Sequence, residues 1–367
     1  MSRLNPDYAR RDEMPAERLR IAVVGAGYWG PYLARNFAQS PDRDLAAVCD
    51  LDGERARVVA DRVGAASTSS LDEVLDDPTI HAVAIATPAR THATIATAAL
   101  GNGKHVVVEK PLADSRGAGV EMYEAAERNG LVLMADHTYC YTPAVLKIRD
   151  LIASGETGEI LYIDSVRINL GLIQPDVDVL WDLAPHDLSI LDFILTDGLD
   201  MTEVSAVGSD PLDTGKACVG YLTLPLGSGG SAHVHVNWLS PTKIRRMVIA
   251  GTLRTIVWDD LNPQQRISVY DRGIDLESQS RTEANVTPAT VSYRLGGMWA
   301  PALAEQEAAG NLATEVAAAI RGSRAASATG GSGLRVLSVL EAAAQSLAKG
   351  GMPVAAEHGV PKAEEMV

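Results

Sequence analysis

Short apolar runs and stretches of helical period alternate along the first 140 residues. Ile21 to Val24 is a β-branched run that reads as a buried strand. After Gly30, Leu33, Phe37 and Ala38 return at the spacing of one helical face. "DLAAVCD" (44–50) is a second strand, "HAVAIATP" (81–88) a third, and "THATIATAALGNG" (91–103) a helix with a glycine stop. "KHVVVEKP" (104–111) and "LVLMADHTY" (131–139) are further strands. Strands alternating with helices predict an α/β fold with a parallel, doubly wound sheet, whose ligands lie beyond the carboxyl ends of the strands. Asp50, Thr87, Glu109, Lys110, Asp136 and His137 fall at those ends.

Past residue 140 the texture changes. "ILYIDSVRINLG" (160–171), "KACVGYLTLPLG" (216–227), "GGSAHVHVNWLS" (229–240), "RRMVIAGTLRTIVWDD" (245–260) and "RISVYDRG" (266–273) alternate apolar with polar residues and are separated by Gly/Pro turns. Short connections predict a large, mostly antiparallel sheet in a C-terminal α+β domain. Residues 272–300 are expected to form a loop or an oligomer arm, and 301–322 to be a helix. The division expected is an arm at 1–18, a first domain at 19–138, a second at 139–350 and a tail at 351–367.

Composition narrows the class. The chain has 367 residues, 46% of them hydrophobic, which suits two domains with real cores. No apolar run approaches the roughly 20 residues that span a bilayer. A formal charge of −15 argues against nucleic acid or an anionic membrane as a partner. Cys49, Cys140 and Cys218, without a CxxC spacing, point to reduced thiols in a cytoplasmic protein rather than to disulfides or a metal site. Arg10 and Arg11 are followed by "DEMPAE" rather than by an apolar stretch, so no secretion signal is read.

The first strand runs into Gly25-x-Gly27-x-x-Gly30. Strand, three glycines at this spacing and helix form the context of a dinucleotide-binding Rossmann turn. Gly25 makes the tight turn, Gly27 admits the pyrophosphate, and Gly30 lets helix and strand approach. Asp50, twenty positions after Gly30, is placed to accept the adenosine ribose hydroxyls and to repel a 2′-phosphate, which favours NAD over NADP. Arg55 and Arg57 nearby weigh in the other direction.

Chemistry enters with "WDLAPHDLSILDF" (181–193). Asp182 precedes His186 by four positions, and Asp187 follows at once. Taken alone, such a group is more often a helix cap or a satisfied core pair than a catalytic one. Pro185 suits a first helical position, so the helix is expected to begin at His186 with Asp182 on the preceding turn. In "VVVEKPLA", Lys110 lies just past a buried strand, before Pro111. Together with "GAGYWG", "ATPARTH" and "WDLAPHD", this segment resembles the Gfo/Idh/MocA oxidoreductases, over about residues 19 to 350. The resemblance implies that Lys110, Asp182 and His186 form the catalytic set. It places the cofactor against Gly25, Gly27, Tyr28, Trp29, Gly30, Asp50, Arg55, Thr87, Pro88, His92, Glu109 and Lys110. It also implies hydride exchange between NAD and a carbinol of a sugar or cyclitol, in a homodimer or homotetramer built on the second sheet. The residue types agree. A neutral histidine suits removal of the hydroxyl proton, with Asp182 orienting it or stabilising the imidazolium, and a lysine suits the developing alkoxide.

For the substrate, Arg167 and Asn169 share one face of a strand, and His233, His235 and Asn237 one face of another. Lys243, Arg245 and Arg246 follow a proline, where a turn is expected. Arg167, Asn169, Asn237, Lys243 and Arg245 are therefore substrate candidates, and the basic group suits a diphosphate. A solvated, charge-balanced loop remains the alternative. "GYWG", "DHTY", "INLG" and "WDLAPHDLSILDF" look most similar to the nucleotide-sugar branch, acting at C3. Alternatives are an inositol or aminocyclitol dehydrogenase, an NAD-dependent glycosidase and a non-catalytic dinucleotide sensor.

Overall fold

The computed structural model describes residues 18–39, 43–174, 176–199, 202–276, 291–322 and 329–357. The expected arm, 1–18, lies outside the described residues except for Arg18, and the expected tail does so from 358 onward.

The first sheet contains β1 (Leu19–Val24), β2 (Arg43–Cys49), β3 (Ala66–Thr68), β4 (Ala82–Ile85), β5 (His105–Glu109) and β6 (Leu133–Asp136). Between them run α1 (Gly30–Ala38), α2 (Gly53–Val63), α3 (Leu71–Asp76), α4 (His92–Gly101) and α5 (Arg116–Asn129). All neighbouring strands are parallel, in the order β3-β2-β1-β4-β5-β6. Ala22, Val23, Ala84, Ile85, Val106 and Val108 are fully buried, because helices cover both faces. That is why these strands read as unbroken apolar runs. The strand order reverses between β1 and β4, which opens a crevice beyond their carboxyl ends.

The rest of the chain comprises α6 (Pro143–Ala153), β7 (Ile160–Leu170), α7 (Val179–Ile194), β8 (Glu203–Ser209), β9 (Val219–Pro225), β10 (Ser231–Asn237), β11 (Leu239–Gly251), β12 (Thr255–Asp259), β13 (Ile267–Leu276), β14 (Val291–Trp299), α8 (Ala308–Ile320), α9 (Gly330–Ala348) and β15 (Val354–Ala355). Its nine strands form one sheet, β14-β13-β12-β11-β7-β10-β9-β8-β15, in which only β7 and β10 run parallel. Ile163, Leu222, Val234, Met247, Ile249 and Trp258 fill the inner face. Helices α7 and α9 pack against this sheet. Tyr162 and Tyr221 remain exposed on the outer face. No described helix is long and apolar enough to cross a membrane.

Four expectations change. Residues 272–300 are not a loop where described: β13 and β14 pair antiparallel at the sheet edge, and 277–290 lie outside the described residues. The helix expected from 301 starts at Ala308. The expected tail contains β15, which pairs with β8. Lys243 follows no proline turn: Pro241 sits inside β11, where the register against β7 shifts between Leu239 and Ile244.

Candidate active site

The glycine turn meets the steric demands of a dinucleotide. Gly25 sits at φ +99°, and a Cβ there would lie 2.6 Å from the Ala86 carbonyl oxygen. A Cβ on Gly30 would fall 2.1 Å from the Gly25 carbonyl oxygen, so helix and turn touch only because residue 30 is glycine. A Cβ on Gly27 would meet nothing within 4 Å beyond its chain neighbours, which leaves room on that side for a phosphate to approach the backbone. No side chain caps α1; Pro31 has no N–H and the Tyr32 N–H donates to the Trp29 carbonyl at 3.0 Å, which leaves the Gly30 N–H for an anion. A cleft of about 660 Å³ runs past Gly25, Gly27, Asp50, Arg55, Thr87 and Pro88.

Asp50 accepts hydrogen bonds from the Ala26 N–H at 2.7 Å and the Asp52 N–H at 2.9 Å, which ties the end of β2 to the glycine turn. Arg55 pairs with Asp50 at 3.5 Å and with Asp52 at 3.3 Å. Arg57 is held on the helix surface by Glu54 and Asp61. Trp29 lines a second cavity together with Glu109 and Lys110, and the Tyr28 ring meets it edge-on. His92 is a correction. It is buried, with Nδ1 3.0 Å from the Pro111 carbonyl oxygen and Nε2 2.8 Å from that of Thr87. The ring braces the two segments that edge the site, and neither nitrogen is left for a cofactor.

The second cavity, about 220 Å³, adjoins the ends of β5 and β6 and is lined by Trp29, Tyr32, Glu109, Lys110, Tyr139 and His186 among others. Lys110 donates from Nζ to the Asp182 carbonyl at 2.9 Å and lies 3.4 Å from Asp182 Oδ1. Helix α7 does not begin at His186 as expected. It starts at Val179, capped by Asp178, which accepts from the Trp181 N–H at 3.0 Å, and it carries Pro185 inside. Pro185 has no N–H, so the Trp181 carbonyl loses its helical donor. One residue on, the Asp182 carbonyl is the one that takes the lysine. The expected contact between Asp182 and His186 is absent. Asp182 Oδ2 instead accepts from Trp238 Nε1 at 3.0 Å.

His186 is held well below the usual histidine range, first by burial and then by the charges of Lys110, Arg167 and Arg245. Glu109 and Asp136 stand opposite each other on β5 and β6 and share a hydrogen bond, and burial pushes both upward. The Lys110 N–H donates to Glu109 Oε2 at 3.0 Å, and the Thr138 hydroxyl donates to Asp136. His137 is buried with neither ring nitrogen partnered, and burial pushes it down to about 4.

Among the substrate candidates, Arg167 is a correction. It is buried on the inner face of β7 and bonded twice to Asp187, at 2.6 and 3.2 Å, so its guanidinium is already used. Asn237 is another. It lies on the outer face with His233 and His235, and its side-chain oxygen accepts from the Leu239 N–H at 2.6 Å. Asn169 follows Arg167 on the inner face, close against Gly171. Arg245 reaches the inner face over the Tyr139 ring and pairs loosely with Asp260 at 3.5 Å. Lys243 is exposed. Tyr139 was not anticipated as a site residue, although it lies three positions after Asp136, where β6 ends.

Residues 19–137 match the family model described as oxidoreductase family, NAD-binding Rossmann fold, and residues 145–257 match the GFO/IDH/MocA C-terminal domain. The UDP-N-acetylglucosamine 3-dehydrogenase of Acidithiobacillus ferrooxidans is 31% identical over 70% of this chain and 78% of its own length. The scyllo-inositol 2-dehydrogenase (NAD(+)) of Bacillus subtilis is 32% identical over 52% of this chain and 57% of its own. GenD2 from gentamicin A biosynthesis, solved in complex with NAD, has a TM-score of 0.77 at 26% identity, covering 95% of this chain and 99% of GenD2.

Proposed function

The chain belongs to the Gfo/Idh/MocA oxidoreductases, NAD-binding enzymes acting on CH–OH groups, and on that footing we propose that its substrate is a nucleotide-linked sugar, oxidised or reduced at C3. The observation that carries this reading is Arg245, half-exposed on the inner face above Tyr139, with Lys243 on the same strand. In a chain of net charge −15 they offer a diphosphate a local cationic site. The relative acting on UDP-N-acetylglucosamine supports it.

When bound, NAD supplies the hydride chemistry. A neutral His186 takes the hydroxyl proton at a ring nitrogen, and the Lys110 ammonium stabilises the oxygen as it gains charge. Asp182 holds Lys110 by its carbonyl and carboxylate rather than orienting His186.

Single-turnover nicotinamide absorbance, with enzyme in excess over UDP- and dTDP-sugars, uronates and inositols, tests the reading. Reduction by a nucleotide sugar, with KM raised at least tenfold in Arg245→Glu and Lys243→Glu, is the expected result. Reduction by free inositol alone, indifferent to both changes, would replace it with a cyclitol dehydrogenase, which the small cavity and the scyllo-inositol relative support. Release of free sugar without net change in NAD would mean a glycosidase.

Two further outcomes belong to this reading. Because His186 is depressed, it stays deprotonated until pH falls well below 6.5. In the oxidative direction kcat/KM should therefore hold level from pH 8 through 6.5 and decline only below, and an acid limb at 6.5 or higher would remove His186 as the base. Asp50→Ala is expected to weaken NADH about tenfold or more, the scale of one charged hydrogen bond, and to narrow the gap to NADPH. Fluorescence titration with both cofactors reads this, and an unchanged ratio would detach Asp50 from the ribose. The outer face of the nine-stranded sheet, with Tyr162 and Tyr221 exposed, is read as the surface joining copies into a dimer or tetramer. A monomer in sedimentation equilibrium would overturn that.

A further inference from the structure

We propose that Tyr139, not Asp182, is the positioning residue of His186, and that the buried Arg167–Asp187 pair holds Tyr139 in place; this rests on His186 being the base. Both oxygens of Asp182 are turned elsewhere, Oδ2 to Trp238 at 3.0 Å and Oδ1 toward Lys110 at 3.4 Å. What meets the imidazole is the Tyr139 ring, edge-to-face, with centroids 5.1 Å apart and planes at 69°. The Arg167 guanidinium lies 4.4 Å from the centroid of the same ring and that of Arg245 5.7 Å, while Trp258 closes a further side at 6.3 Å.

Arg167 is buried and anchored. It is bonded twice to Asp187, which also accepts from the Ser165 hydroxyl at 2.8 Å. Asp187 is the next residue after His186 on α7. The path His186, Asp187, Arg167, Tyr139 and back to His186 is therefore a closed ring, one link of it covalent. It fixes the imidazole plane without a carboxylate on either nitrogen, so one nitrogen can accept a proton from an alcohol or return it to a ketone without a tautomer lock. The charged and titratable groups about the imidazole and its cavity are Glu109 at the end of β5, Lys110 after it, Asp136 at the end of β6, His137 and Tyr139 after it, Arg167 from β7 and Arg245 from β11, with Asp182 and Asp187 on its own helix.

The test is histidine-labelled NMR of the full chain, with the His186 signal among the eight histidines assigned by its loss in His186→Gln. In the unaltered protein the ring protons should be displaced by the Tyr139 ring current, and the signal should not titrate near pH 6.5. Tyr139→Phe should keep both features. Tyr139→Leu should lose the displacement and move the titration upward, because water then reaches the imidazole. Asp182→Asn should leave the displacement in place. A displacement that survives Tyr139→Leu, vanishes in Tyr139→Phe or vanishes in Asp182→Asn overturns the proposal. If Tyr139→Leu does not fold, the other two variants decide. None of these signals needs a substrate, so their failure is separate from a failure of the dehydrogenase reading, which nicotinamide reduction reports.

Discussion

Lys110→Met is expected to lower turnover at least tenfold, and about a hundredfold on the scale of a lost oxyanion-stabilising donor, while NAD still binds. The side chain is largely buried, and its Nζ is anchored by the Asp182 carbonyl. Methionine keeps the unbranched stem and most of the volume, so packing survives and only the ammonium is lost. Gly25, Asp50 and Thr87 line a separate cleft that Lys110 does not enter, which is why affinity for NADH should stay near its starting value. The variant has a second signature. Lys110 is the first charge after burial that depresses His186, so its loss should raise the histidine and move the acid limb of kcat/KM to higher pH. Stopped-flow turnover and a fluorescence titration of NADH, run together, separate the roles. Near-normal turnover would remove Lys110 from the chemistry, and a parallel loss of NADH affinity would make it a cofactor ligand instead.

The two halves of the molecule differed in how far sequence alone reached. Strands β1, β4 and β5 are covered on both faces, so their Val, Ile and Ala runs carry the whole signal locally. The glycines are equally local, because a Cβ at Gly30 collides with a residue five positions away. Strand β14 left no such trace. It lies at the sheet edge, exposes Leu295 and contains Gly296 and Gly297, so it looks like a loop until β13 is beside it. Alternation put Arg167 and Asn169 on one face, and that face is the inner one. What alternation does not carry is the identity of the neighbour across the core. Asp187 lies 20 residues along and reads as part of a helix mouth. The same limit applies to Asp182. Its four-residue spacing from His186 suggests a contact, but the carboxylate turns to Trp238, 56 residues away. Pro185 was read as a helix start because proline is costly inside one. Here it stands inside α7, and the lysine bonds the Asp182 carbonyl, next to the Trp181 carbonyl that loses its donor.

Asp187→Ala is expected to destabilise the protein by about 3–5 kcal/mol, the range for breaking a buried pair from one side. Arg167 and Asp187 have side-chain exposures of 3% and 2%. Removing the carboxylate strands a guanidinium that water does not reach and takes the Ser165 hydroxyl's acceptor with it. For a unit of this size each kcal/mol moves the melting temperature by about 2–4 °C, so scanning calorimetry should show a fall on the order of 10 °C. The double variant Arg167→Met/Asp187→Leu should recover most of that loss, since replacing both partners with apolar side chains of similar size leaves no uncompensated charge. The residues touch, so their effects should be strongly non-additive. Stability and rate then part company. Arg167 stacks on the ring that meets His186, so the double variant should melt near the starting temperature yet turn over more slowly, with the His186 ring signal altered. Recovery of both stability and rate would make the pair a fold element alone. Recovery of stability without rate would mean that the ion pair is kept because it sets the ring on which the base rests.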